Sequence, residues 1–286
     1  MTSTVETVET AESSAPPALN KPRRRLGDRL LFIYTWLMIV WLAFPIGIMI
    51  LFSFNNTPGR YNQTWRGFTT KWYGQLNQYP DLTKALFISL TVAVVTMFVA
   101  GALGTLVGVA LGRYRFRGHG ATNLVMFATI SSPELVMGAS LLSLFVSSNV
   151  GLGLVTILIA HIMFSISFVA VVVRARVLTL DRFTEEAARD LGAGPWATFW
   201  LVTFPMIFPA VLSGGLLAFA LSIDDFVITN FTSGTVTTFP LWIWGATRLG
   251  EPPQVNVMGT FIFVGGILIA VASSLWQRRR SVPAAS

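Results

Sequence analysis

The sequence predicts an all-α, polytopic membrane protein, and three observations carry that prediction. Of its 286 residues 53% are hydrophobic and only 12% charged, with mean hydropathy +0.65, a composition outside the soluble range. Its apolar residues are gathered into runs long enough to cross a bilayer. Its Lys and Arg residues lie between those runs and are unevenly shared between alternate connections.

Residues 1–29 are rich in Thr, Ser, Glu, Ala and Pro and end in the cluster Lys21, Arg23, Arg24, Arg25 and Arg29. Such a stretch cannot bury a core, and it reads as a disordered cytoplasmic tail. The next run, Leu30 to about Phe54, is too long for the apolar part of a signal peptide and suits a spanning helix. Further runs lie at about Ala85–Leu111, Ala121–Phe145, Leu152–Val173, Pro205–Ile223 and Val257–Trp276, which makes six spans over a permease domain of residues 30–277. A short cytoplasmic tail, residues 278–286, follows. Pro45, Pro133 and Pro209 fall within or near these runs, where neighbouring helices can satisfy the carbonyls that they free.

Placing both termini in the cytoplasm puts fifteen of the 20 Lys and Arg residues inside. Only Arg60, Arg66, Lys71, Lys84 and Arg248 are then outside. The positive-inside rule selects this orientation. Outside, Asn55–Thr83 carries Trp65, Phe68, Trp72 and Tyr73 among polar residues, the pattern of an interfacial helix. A second outer segment, about Asn230–Asn256, carries Trp242 and Trp244. Either is a candidate contact for an extracytoplasmic binding protein, and aromatic belt residues are the plainer reading.

Several chemistries are excluded or left without support. There is no Cys, hence no disulfide framework and no thiolate metal site. Lys21, Lys71 and Lys84 are the only lysines and none follows a glycine, so no phosphate-binding Gly-Lys loop exists and the chain is not itself an ATPase of that class. His161 has no second His or Cys nearby, and a hydrogen-bonded interior histidine is expected there rather than a metal ligand. Gly104, Gly108 and Gly112 recur every four residues, with Gly101 close by, as a face for close helix packing.

Between the fourth and fifth runs, Asp181–Pro209 alternates charge, small residues and turn formers. Thr184 suits a helix N-cap, with Glu185 and Glu186 in the first turn. Ala187, Ala188 and Leu191 continue a short helix, Gly192 and Gly194 suit its end, and Pro195 suits the start of another. The spacing of Glu186-Ala187-Ala188, three residues, Gly192, nine residues, then Val202, Phe204 and Pro205 resembles the EAA loop of bacterial ABC importer permeases. Val202 and Phe204 stand where that pattern has Ile and Leu. The resemblance implies that residues 181–205, with Glu185, Glu186, Ala187, Ala188, Gly192 and Pro205, dock in a groove of a cytoplasmic ATPase.

The resemblance continues in NQTWRGFTTKWYGQL, GRYRFRG, SSPELVMGASLLSLF and FALSIDDFVITNFTSG, which are similar to the PotC/PotI type of permease from spermidine/putrescine importers. It covers about residue 30 to the last span. It implies the type I ABC importer permease fold, a bacterial inner-membrane location, and four kinds of association. Three are partners, namely a second permease subunit, two ATPase subunits that hold ATP and Mg, and a substrate-binding protein outside; the fourth is the membrane itself, and no cofactor is expected in this chain. The acids Glu134, Asp224 and Asp225, set in apolar surroundings without Lys or Arg, are the candidates for a cationic path. Asp224 and Asp225 would point about 100° apart on a helix, so one can line the path while the other packs or caps. The alternatives are a stand-alone secondary transporter or cation channel using the same acids, and an ABC permease for another small solute.

Overall fold

The computed structural model describes residues 26–280, in two units that divide between Ile48 and Met49. The disordered tail expected over residues 1–29 lies outside the described residues except for its last four, Leu26–Arg29, which are already helical. All regular structure among the described residues is helical apart from one isolated bridge between Asn55 and Phe68.

The apolar runs become α1 (Leu26–Ser53), α2 (Pro80–Arg113), α5 (Leu154–Leu178), α8 (Phe204–Asp224) and α11 (Pro253–Arg280). At 1.5 Å per residue, the 34 residues of α2 reach about 51 Å, well beyond a hydrocarbon core of about 30 Å. The third run is divided. It forms α3 (His119–Ser131) and α4 (Glu134–Ser147), bent by 110° at Ser132-Pro133. Proline pushes the preceding residue out of the helical region, and both Ser132 (ψ 133°) and Pro133 (ψ 130°) are extended.

The glycine stripe decides the central packing. A Cβ on Gly104 would lie 2.6 Å from Val169 Cβ, one on Gly108 2.7 Å from Ala170 O, and one on Gly112 2.7 Å from Val177 Cγ1. Only hydrogen at those positions lets α2 and α5 approach backbone to backbone. Because later residues of α2 meet later residues of α5, the two helices run parallel. The chain must therefore return between them, and α3 and α4 supply that return; taken as one broken span they raise the candidate spans among the described residues from five to six. On the other side of Val169, Gly214 of α8 closes in, with Val169 Cγ1 3.1 Å from where its Cβ would be. Arg176 Nε donates to Met206 O at 3.2 Å, so α8 is antiparallel to α5. Ala100, Val169, Val173, Val177, Ile207 and Ala218 fill this three-helix seam.

Past α8 the chain breaks again. Short helices α9 (Val227–Thr232) and α10 (Phe239–Ala246) precede α11, and Ile228 of α9 packs with Leu141 and Phe145 of α4. The interfacial helix expected over 55–83 is not formed. The segment has two short 3-10 turns, Lys71–Gly74 and Leu76–Gln78, before α2 begins at Pro80. The physical cause is Asn55, fully buried, whose amide donates to Asn62 Oδ1 (2.8 Å) and Thr64 O (2.7 Å) while its Oδ1 accepts from Arg66 N (2.7 Å). Such side-chain bonds compete with helical ones. Trp72 is buried, donating to Asn55 O at 2.7 Å, rather than lying on a surface.

Candidate functional site

The three acids singled out above sit at the two helix breaks, and α4 packing on α9 brings the breaks together. Glu134 is the first residue of α4 and is exposed. Asp224 is the last residue of α8 and is also exposed, while Asp225 begins the irregular step to α9.

Asp225 is spent differently from its neighbours. Its Oδ1 accepts from Ile228 N (3.3 Å) and its Oδ2 from Thr229 N (2.8 Å), at the start of α9. Thr229 Oγ1 donates to the same Oδ2 at 2.8 Å, and His161 Nε2 stands 3.1 Å from it. With its proton given to Asp225, Thr229 Oγ1 accepts from His161 Nε2–H at 2.9 Å. The ring's Nδ1 lies 2.7 Å from Ser222 Oγ. His161 is thus the interior histidine that the sequence suggested, 3% exposed, and it ties α5 to both sides of the α8/α9 break. Sequence reasoning did not connect it to Asp225, which is 64 positions further along the chain. Among the described residues no group of three metal-ligating side chains forms.

The Asp181–Pro209 segment folds into α6 (Phe183–Asp190), α7 (Pro195–Thr198), a π-helical turn (Phe199–Thr203) and the start of α8. The helix begins one residue before the expected cap Thr184, because Asp181 Oδ1 accepts from Phe183 N at 3.0 Å. Gly192 (φ 88°) ends α6, with Gly192 N donating to Arg189 O (2.8 Å) and Ala193 N to Ala188 O (3.0 Å), a Schellman ending. Gly194 takes no positive φ; it is the extended residue before α7, which begins at Pro195. Glu186 and Ala187 are exposed, Ala188 is half-buried, and Pro205 is exposed in the first turn of α8. Glu185 turns inward to Arg113, an ion pair of 3.1 Å.

Residues 104–280 match the family described as binding-protein-dependent transport system inner membrane component. The chain belongs to this family. It is an inner-membrane permease, a transport subunit and not an enzyme. The putrescine transport system permease protein PotI of Escherichia coli (strain K12) is 40% identical over 230 residues, 78% of this permease and 81% of PotI. The spermidine/putrescine transport system permease protein PotC of the same strain is 38% identical over 256 residues, 89% and 94% of the two chains.

Solved structures share the permease's fold at lower identity. A chain of a bacterial ABC transporter involved in the import of the acidic polysaccharide alginate has a TM-score of 0.61 at 17% identity, over 90% of this permease and 99% of that chain. A chain of the MetNI methionine ABC transporter, in inward-facing conformations, has a TM-score of 0.59 at 16% identity, over 70% and 96%. The all-α importer-permease architecture expected from the sequence is therefore the one adopted.

Proposed function

We propose that this permease is one of the two membrane subunits of an ATP-driven importer for polyamines. The observation that carries the cargo is its 38–40% identity, over most of its length, to permeases named for putrescine and spermidine transport. A second permease subunit completes the path, two ATPase subunits supply ATP and Mg, and an extracytoplasmic protein delivers the cargo. Both termini face the cytoplasm, as the Lys and Arg distribution favours. Residues 181–205 then lie on the ATPase side, with Glu186, Ala187, Ala188 and Gly192 at the docking surface and Glu185 and Pro205 supporting it.

Interrupted helices at membrane depth are where a transporter can present polar groups without leaving backbone unsatisfied. Glu134 and Asp224, exposed at two such breaks, stand in for part of the water around an ammonium group, and an anion would be repelled there. Asp225, engaged by His161 and Thr229, holds the break in shape rather than meeting the cargo first. The test is uptake of radiolabelled putrescine and spermidine by cells carrying the complete importer, against cells lacking this chain. Chain-dependent uptake of either polyamine supports the reading, and uptake of neither removes the cargo and points to another small solute.

A further inference from the structure

The junction of α2 with α6 is built from charge and burial. Arg113 ends α2 with a side chain only 9% exposed, and its Nη2 donates to Glu185 Oε1 in the first turn of α6, across 72 positions of sequence. The same Oε1 accepts from Thr203 Oγ1 at 2.9 Å, the residue that closes the π-helical turn and leads into α8. Arg113 Nη1 reaches Leu180 O at 3.4 Å, in the step between α5 and α6. One guanidinium and one carboxylate oxygen therefore join α2, the entry to α6 and the root of α8. Arginine suits this place because its planar fork serves two acceptors at once, which a lysine ammonium does not reproduce.

Little else anchors α6. It has eight residues, none of them buried, and Phe183 is 73% exposed at its start, with Leu191 89% exposed just past its end. A helix of that length is marginal alone, so its placement depends on what holds its ends. The Gly192 bend shapes the exit, and the Glu185 junction holds the entry. Glu186, next in sequence, stays exposed and available to a partner.

We infer that the Arg113–Glu185–Thr203 junction is a strut that makes α6 move as one body with α2 and α8, so that Arg113 and Glu185 are positioning residues for coupling ATP hydrolysis to opening of the path. This rests on the reading that the α6–α7 segment meets the ATPase. Breaking one partner leaves a buried charge uncompensated, whereas removing both charges with side chains of similar length relieves that cost. The strut's mechanical role and its contribution to folding are separable on that basis.

The experiment uses the complete importer, reconstituted in sealed proteoliposomes, with wild type, Arg113→Met, Glu185→Met and the double variant. Because this chain has no Cys of its own, spin labels attached to the purified permease at the exposed positions Arg189 on α6 and Leu106 on α2, before the partner subunits are added, report the distance between those helices. In the wild type that distance stays the same between nucleotide-free and ATP-trapped states. The double variant assembles and melts like the wild type, yet its distance distribution broadens, and the ATP hydrolysed per polyamine imported rises roughly tenfold. Arg113→Lys, which keeps the charge without the fork, falls between. A wild-type distance that changes on trapping ATP, or a double variant with unchanged distance and unchanged stoichiometry, overturns the strut. Failure of wild-type permease to retain ATPase subunits would instead overturn the docking reading beneath it.

Discussion

His161 Nε2 and Asp225 Oδ2 lie 3.1 Å apart, with side chains 3% and 7% exposed, and they bridge α5 to the point where the chain leaves α8. Adjacent acids thereby acquire different tasks. Asp225 accepts from the backbone amides of Ile228 and Thr229 and from Thr229 Oγ1, with the His161 ring beside it, while Asp224 remains exposed.

That difference predicts a split between neighbouring amide variants. Asp225→Asn should lower stability by about 1.5–3 kcal/mol, the range for bonds to a charged group, and lower transport with it. Asp224→Asn should leave the melting temperature within the experimental error and reduce polyamine uptake about tenfold, if one ion pair contributes about 1.4 kcal/mol. Thermal unfolding of the purified permease beside uptake in cells checks both. Equal effects of the two variants on both measurements would refute the division of labour.

The seam between α2 and α5 gives a prediction of stability alone. Gly104→Ala places a methyl 2.6 Å from Val169 Cβ and should destabilise by about 1–3 kcal/mol, as over-packing does. Gly101→Ala, one helical turn earlier in the chain, meets no atom within 4 Å and should be neutral or stabilising by up to about 1 kcal/mol, since alanine suits a helix better. Yield and melting temperature of the two variants, measured side by side, decide it.

At Gly192 the constraint is backbone conformation rather than space, because no atom lies within 4 Å of its missing Cβ but φ is 88°. Gly192→Val should strain the bend by about 1–2 kcal/mol. Spans should fold as before, while ATPase subunits copurify less well. Normal recovery of the ATPase with this variant would show that the bend does not shape the docking surface.

Orientation is checked with single cysteines, for which the native chain supplies a clean background. Gln63 and Asp190 are exposed, whereas Asn62 donates to Phe52 O at 2.9 Å and should be left alone. Impermeant maleimide applied to sealed cells should modify Gln63→Cys and spare Asp190→Cys until the membrane is opened. The reverse pattern would place the α6–α7 segment on the wrong side for any cytoplasmic ATPase.

Two of the apolar runs contain or end in a helix break, at Ser132-Pro133 and after Asp224. Such breaks are a habit of secondary transporters, and the break after Asp224 was not legible, since its run reads as an unbroken apolar stretch up to a pair of acids. The family match, not the helix geometry, separates the importer subunit from the stand-alone transporter.

What the sequence determined by itself was carried by short-range pattern, although such pattern misplaced the 55–83 segment and the Thr184 cap. Apolar runs of bilayer length marked the spans, a four-residue glycine repeat marked the tight seam, and Gly192 and Pro195 marked a bend and a new helix start. Each reflects a preference that a residue has wherever the chain goes: burial in lipid, absence of a Cβ, a permitted φ. Only tertiary structure decided the pairings. Arg113 meets Glu185, His161 meets Asp225, and Trp72 turns inward to Asn55 O because helix packing and a folded loop bring together atoms far apart in the chain. An isolated Glu or Asp carries no mark of its partner, since either can be solvated, capped or paired at little difference in local energy. The choice among those fates is made by which donors the packed helices leave within about 3 Å of the carboxylate.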